Sequence, residues 1–252
     1  MAEEFGDAVN VLFVEVQGAD DGKVEHFCLD KKWMGTSAMW TTERPFNVEA
    51  RGIPHFALLG VDGEVILFGN PISLHSKIEE LVQEQLDVAR KGPEDLPKSL
   101  KKSWKSFQGG NYADAIEKAQ KVVDKGEEDA EYATGLVADI EKRAAGSVDR
   151  ASWLMDSGRL VEVEDLLDDL EGRVEGMEDL HARVLAMKET LESDDMKAER
   201  DAAKALAKIE ETLHKDGLKA RNVDRKLEKL VEKYAGTKCA ERAKHLLDVV
   251  TR

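Results

Sequence analysis

The chain has 252 residues, 42% of them apolar, and carries a formal charge of −15 with a pI near 5.0. That length and apolar content support one or two domains, each with a core, and exclude a disordered chain. The acidic balance argues against nucleic acid and anionic membrane surfaces as partners, since both are bound through excess Lys and Arg.

The opening "MAEEFGDAVN" is acidic and broken by glycine, unlike the basic start and apolar run of an export signal. No segment approaches the roughly 20 apolar residues that span a bilayer. The expectation is a soluble cytoplasmic protein, or a periplasmic or exported one if an N-terminal segment is missing. Only Cys28 and Cys239 are present, far apart, so no Cys-x-x-Cys pair, disulfide framework or zinc cluster can be written. His26, His55, His75, His181, His214 and His245 lack metal-ligand spacing. The expected counts of catalytic residues, metals and cofactors are therefore none.

"VNVLFVEVQ" (9–17) is apolar and β-branched, the pattern of a strand covered on both faces and a signal for a parallel sheet, and "GADDG" breaks it. "KVEHFCLDKKW" (23–33) places Val24, Phe27 and Cys28 on one face of a short crossover helix. On that face Cys28 reads as a small buried apolar residue, not a thiol sensor. "TSAMWTTERPFNVEA" (36–50) has no sustained period and reads as a loop. Trp33 and Trp40 in "KKWMGTSAMW" either fill a core edge or form a partner-binding lip.

"HFALLG" and "EVILFG" read as a hairpin joined through Asp62-Gly63, where Asp-Gly supplies the positive φ that hairpin turns demand. Pro54 stands at the mouth of the first of these strands, a place where proline is tolerated, and its X-Pro bond is one of the few that adopt cis. "SLHSKIEELVQEQLDVAR" (73–90) is amphipathic through Leu74, Ile78, Leu81, Val82 and Leu86, with Ser73 placed to cap it.

This order, with "GIPHFALLGVDGEVILFG" at its centre, resembles the C-terminal half of the thioredoxin fold over about residues 8–90, in particular thiol-disulfide reductases with a "GIP…D-x-D/G-G" hairpin. The resemblance implies a cis Pro54 facing a redox dithiol and, at Ile53, backbone groups offered to extended substrates. It thereby marks Ile53, Pro54 and His55 as a substrate edge. The family's first strand and its Trp-Cys-x-x-Cys helix would precede "VNVLFVEVQ" by several dozen residues, where eight stand. The domain is then an incomplete, redox-inactive one, or the dithiol of a longer parent lies upstream of Met1. A sheet short of a strand needs an extra segment, the helical half or a second chain to cover it.

"RKGPEDLP" (90–97) marks a boundary, after which no proline occurs and Ala, Leu, Glu and Lys dominate. The second half reads as all-helical. Glycines 109 and 110 turn one helical hairpin, whose inner seam is Trp104, Phe107, Tyr112, Ala115, Ile116 and Ala119. A second hairpin, with Trp153 and Met155 before its turn, aligns Gly158 with Gly110, 48 positions on. "SDDMKAERDAAKALAKIEETLHKDG" (193–217) reads as a longer helix, and 225–250 as a closing hairpin broken at Gly236-Thr237. "GNYADAIEKAQKVV" and the closing hairpin resemble degenerate tetratricopeptide repeats, which implies stacked hairpins offering a groove to polypeptides. The acidic run "EVEDLLDDLEGRVEG" reads as a solvated face.

The expected architecture is an incomplete thioredoxin-like α/β domain (1–92) followed by an all-α tetratricopeptide-like domain (97–252). The expected function is non-catalytic protein or peptide binding, with a homo-oligomer as a possible form, at Ile53, Pro54 and His55 and at a surface near Trp33, Trp40, Trp104 and Tyr112. The alternative is a fragment of a thiol-disulfide oxidoreductase.

Overall fold

A computed structural model describes residues 9–33, 38–41, 43, 52–92, 95–126 and 128–252. Most of the chain is helical, with a small α/β portion near its start. It divides into two units: Met1–Asp95 with Leu213–Lys219, and Leu96–Thr212 with Ala220–Arg252.

In the first unit, β1 (Val11–Val14) leads into α1 (Asp21–Asp30) and returns as β2 (Ala38–Thr41). The β1–β2 pair is parallel, with Phe13 opposite Trp40. Between β1 and α1 the Glu15 carboxylate accepts from the backbone N–H groups of Gln17, Gly18 and Ala19 at 2.6, 2.9 and 3.0 Å, closing the turn. Asp20 then caps α1 by accepting from Lys23 N–H at 3.1 Å. Val24, Cys28 and Leu29 are buried. Phe27 is not on that face as its spacing predicts: it is exposed, set edge-on to Trp33. The segment that reads as an aperiodic loop contains β2, because parallel pairing to β1 supplies the backbone partners that four residues cannot display as a pattern.

β3 (Phe56–Leu59) and β4 (Val65–Gly69) pair antiparallel, with a register irregularity at Leu58/Leu59. Among the described residues the two pairs form separate sheets, so β3 is half of a hairpin and not a central strand. The connection is longer than a two-residue turn. Gly60 N–H donates to Glu64 O at 2.8 Å, and only Gly63, at φ +84°, is left-handed, so Asp62 is not. The Asp62 carboxylate instead accepts from Glu64 N–H at 3.0 Å. The Ile53–Pro54 bond is cis. α2 (His75–Lys91) buries Ile78 and Val82, and Gln85 accepts from Val61 N–H at 3.0 Å. Ser73 does not cap α2: its hydroxyl donates to Asn70 O, and Leu74 holds the cap position without a side-chain bond.

The first unit also takes in Leu213–Lys219, which lies far along the sequence. Leu213 is buried there. Gly217, left-handed at φ +60°, comes so close to the end of α1 that a Cβ on it would lie 2.8 Å from Leu29 O.

The helical unit opens with a 3-10 turn (Lys98–Leu100). It continues as α3 (Lys101–Gln108), α4 (Tyr112–Lys125), α5 (Ala130–Asp156), α6 (Leu160–Arg173), α7 (Glu178–Glu192), α8 (Lys197–Asp216, whose last residues belong to the first unit), α9 (Val223–Lys233) and α10 (Lys238–Val250). Its core is built on the long α5, where Ala133, Leu136, Ile140, Ala144, Val148 and Ala151 recur every three to four residues and are all buried. The small residues among them admit close helix packing.

The two glycine turns are the same structure repeated. Asn111 N–H donates to Ser106 O at 3.0 Å and Gly110 N–H to Phe107 O at 2.9 Å; 48 positions on, Arg159 N–H donates to Leu154 O at 2.9 Å and Gly158 N–H to Met155 O at 3.1 Å. This paired bonding to the last helical turn is the Schellman motif, which needs a left-handed residue where both glycines stand. The seams differ in detail. Trp104, Phe107 and Ile116 are half-buried, and in the second hairpin Leu154 takes the buried position while Trp153 is 57% exposed.

Candidate functional site

Ile53 and Pro54 are exposed at the end of the β3–β4 hairpin, Ile53 by 61%. His55 is half-buried, with its Nε2 enclosed and without a hydrogen-bond partner. Its ring centroid lies 6.3 Å from that of Phe68, which is 59% exposed. Since Phe56 pairs with Gly69, the turn after β4 lies at the same end of the hairpin, and it carries Ile72, 79% exposed. Ile53, Phe68 and Ile72 are thus apolar side chains left in water at one end of a two-stranded sheet. The sequence pointed to Ile53, Pro54 and His55 at this end and not to Phe68 or Ile72. Phe68 falls on the outward face only once the hairpin register is known.

Trp33 and Trp40 flank Phe13 from two directions. Trp33 stacks on the Phe13 ring at 4.2 Å and 8°, while Trp40 is its register partner and half-buried. Phe27 completes the group at 5.5 Å from Trp33. Trp33 and Phe27 are both exposed in this cluster, beside β1 and the end of α1.

Trp104 and Tyr112 belong to the helical unit. They are joined through Phe107, with both centroid distances 5.4 Å. The Trp104 indole N–H is enclosed without a partner. Tyr112 is buried, and its hydroxyl accepts from Arg173 at 3.2 Å. Arg173 also pairs with Asp169 at 2.6 Å, and these bonds hold the guanidinium protonated to higher pH than usual. The side chain lies against Gly110, and both line the shallow depression at that turn.

Neither cysteine is arranged as a nucleophile. Burial raises the Cys28 thiol pKa, with the Glu25 charge adding to it. Cys239 is pushed up to about 12, first by burial and then by Glu199. Its Sγ donates to Gly158 O at 3.0 Å, and Arg242, itself paired with Glu210 at 2.7 Å, donates to the same carbonyl at 3.0 Å. Glu199 accepts from the backbone N–H groups of Lys238 and Cys239 at 2.9 and 2.8 Å, capping α10 from another helix. Both thiols stay protonated near neutral pH, whereas thiol–disulfide exchange requires a thiolate.

Among the described residues no group of three or more His, Cys, Asp or Glu could hold a metal ion, and no helix is long and apolar enough to cross a membrane. Compared with known proteins, the chain matches no family model, no curated protein and no solved structure.

Proposed function

We propose that this chain binds polypeptides without catalysing thiol exchange, through an α/β domain of thioredoxin-like descent and a helical domain of stacked tetratricopeptide-like hairpins. The observation that carries the reading is the Ile53–His55 end of the hairpin. There Ile53, Phe68 and Ile72 are all exposed. An extended segment laid along this end would bury those side chains and find strand backbone to pair with, which is how strand addition gains both affinity and specificity. The 48-residue repetition of the glycine turn supports the hairpin-array reading of the second domain.

The test is selection of a displayed random-peptide library against the full chain and against its Ile53→Asp/Phe68→Asp variant. Both positions are exposed, so the variant keeps its fold by circular dichroism. Peptides with apolar residues at alternate positions are expected to be enriched on the parent and lost on the variant. Equal enrichment on both removes the reading, and insulin reduction above buffer removes its non-catalytic part.

A second reading is favoured by the strand–helix–strand order of β1, α1 and β2 followed by the β3–β4 hairpin and α2. It makes the chain part of a thiol-disulfide oxidoreductase whose Cys-x-x-Cys segment lies upstream. Translating the upstream frame tests it: a further strand followed by Trp-Cys-x-x-Cys would support it, and a stop codon close to Met1 would end it.

A further inference from the structure

From Leu96 to Ala113 the chain carries Lys98, Lys101, Lys102 and Lys105 and no acidic residue, within a molecule of net charge −15. All four lysines are exposed. At 3.6 residues per turn their spacing of three and four puts them on one side of the 3-10 turn and α3. Nearby helices handle charge differently: Lys118 pairs with Asp114, Lys121 with Glu117 and Arg143 with Asp139, each across one turn. None of the four lysines makes an ion pair among the described residues. Lys98 and Lys102, and Lys101 and Lys105, instead form like-charge i,i+4 pairs, which weaken a helix unless an anion lies between them.

The flank of this stripe is apolar and firmly held. Trp104 is half-buried beside it, held by Phe107 on the far side of the helix. Ser103, buried beneath, donates to Ala115 O at 2.6 Å and fastens α3 to α4. Binding here would order lysine side chains but not the backbone that carries them.

We propose that this face of α3 is a docking site for a short acidic polypeptide segment, its carboxylates on the lysines and an apolar side chain against Trp104. The helical rise places Lys98 and Lys105 about 10 Å apart along the axis, the span of about three extended residues. Four separate ammonium groups suit carboxylates spaced along a chain, whereas bidentate recognition of a single phosphate is the province of arginine. The acidic remainder of the molecule disfavours larger polyanions. A duplex or an anionic bilayer extends beyond the stripe and meets that surface, while a short segment stays within about one Debye length, roughly 8 Å at physiological salt, of the lysines. The site takes the class of its ligand from the polypeptide-binding reading but lies in the other unit from the Ile53 edge.

The test is fluorescence anisotropy of the full chain with a labelled peptide, Glu-Asp-Leu-Glu-Asp-Phe-Glu-Glu, and its Gln/Asn counterpart. The acidic peptide binds and the neutral one does not, and raising NaCl from about 0.05 to about 0.5 M, which shortens the Debye length to about 4 Å, releases it. The triple variant Lys101→Glu/Lys102→Glu/Lys105→Glu weakens binding by about tenfold or more. The charge-matched variant Lys226→Glu/Lys229→Glu/Lys244→Glu, with exposed sites on α9 and α10, leaves it within about twofold. Circular dichroism shows both variants folded. Equal losses in the two variants, no binding by the parent, or equally tight binding of phosphatidylserine vesicles or an oligo-dA strand would each overturn the proposal. The Ile53→Asp/Phe68→Asp variant retains acidic-peptide binding, so failure at the hairpin and failure at α3 are read separately.

Discussion

Replacing Gly158 with alanine tests how the helical unit is assembled, and Gly126→Ala supplies its reference. Both glycines are left-handed, at φ +67° and +62°. An L residue in that region costs about 1–2 kcal/mol, offset by about 0.4–1 kcal/mol because alanine restricts the unfolded chain. Around Gly126 nothing lies within 4 Å of the added Cβ, so that variant loses about 1 kcal/mol. At Gly158 the Cβ would stand 2.9 Å from Lys238 Cβ and 3.3 Å from Cys239 N, atoms fixed to the backbone of α10 that cannot swing aside. The start of α10 must retreat, which stretches the bonds from Cys239 and Arg242 to Gly158 O and those from α10 to Glu199. Losing two or three of these at about 1 kcal/mol each brings Gly158→Ala to about 3–4 kcal/mol. In urea unfolding with an m-value of about 2–3 kcal/mol/M, the midpoint of Gly158→Ala should fall about 1 M below that of Gly126→Ala. Coincident midpoints would refute the reasoning, since they would leave only the cost of left-handed backbone.

Gly217→Ala should destabilise the α/β unit by about 2 kcal/mol or more, because strained backbone adds to the 2.8 Å approach to Leu29 O; hydrogen exchange should show faster opening of α1. With both cysteines buried and their pKa values raised, native protein should react with neither iodoacetamide nor Ellman's reagent at pH 8, while unfolded protein titrates two thiols. The linkage runs in one direction: the folded Cys239 pKa of about 12 exceeds its ordinary 9.0. The folded state holds its proton where the unfolded state releases it, so this contribution is full below pH 9.0 and is lost as pH rises through about 12. A stability that rose across that window would contradict it. Ile140→Ala, at the centre of α5, should lose about 2–5 kcal/mol through a cavity, whereas Trp153→Ser at an exposed position should change stability by under about 0.5 kcal/mol; thermal unfolding compares the two.

Much of this architecture is local, and local structure is what a sequence displays. The apolar stripe of α5, the capping Asn111 and Thr237, the glycine turns at 110 and 158 and the proline at the mouth of β3 each act through residues a few positions apart. Periodicity and turn chemistry therefore locate most of the helices and the hairpin. The sites are less legible. Phe68 is outward only through strand register, Ile72 lies in the turn that follows, and Phe27 faces outward edge-on to Trp33. β2 exists through its pairing with β1. The lysines of α3 spell out their stripe in sequence, but their lack of counter-ions is visible only beside the paired charges of α4 and α5. Tertiary structure alone brought Leu213–Lys219 to α1 and Glu199 to the start of α10. Those contacts join residues far apart along the chain, and no periodicity records a partner whose distance in sequence has no relation to its distance in space.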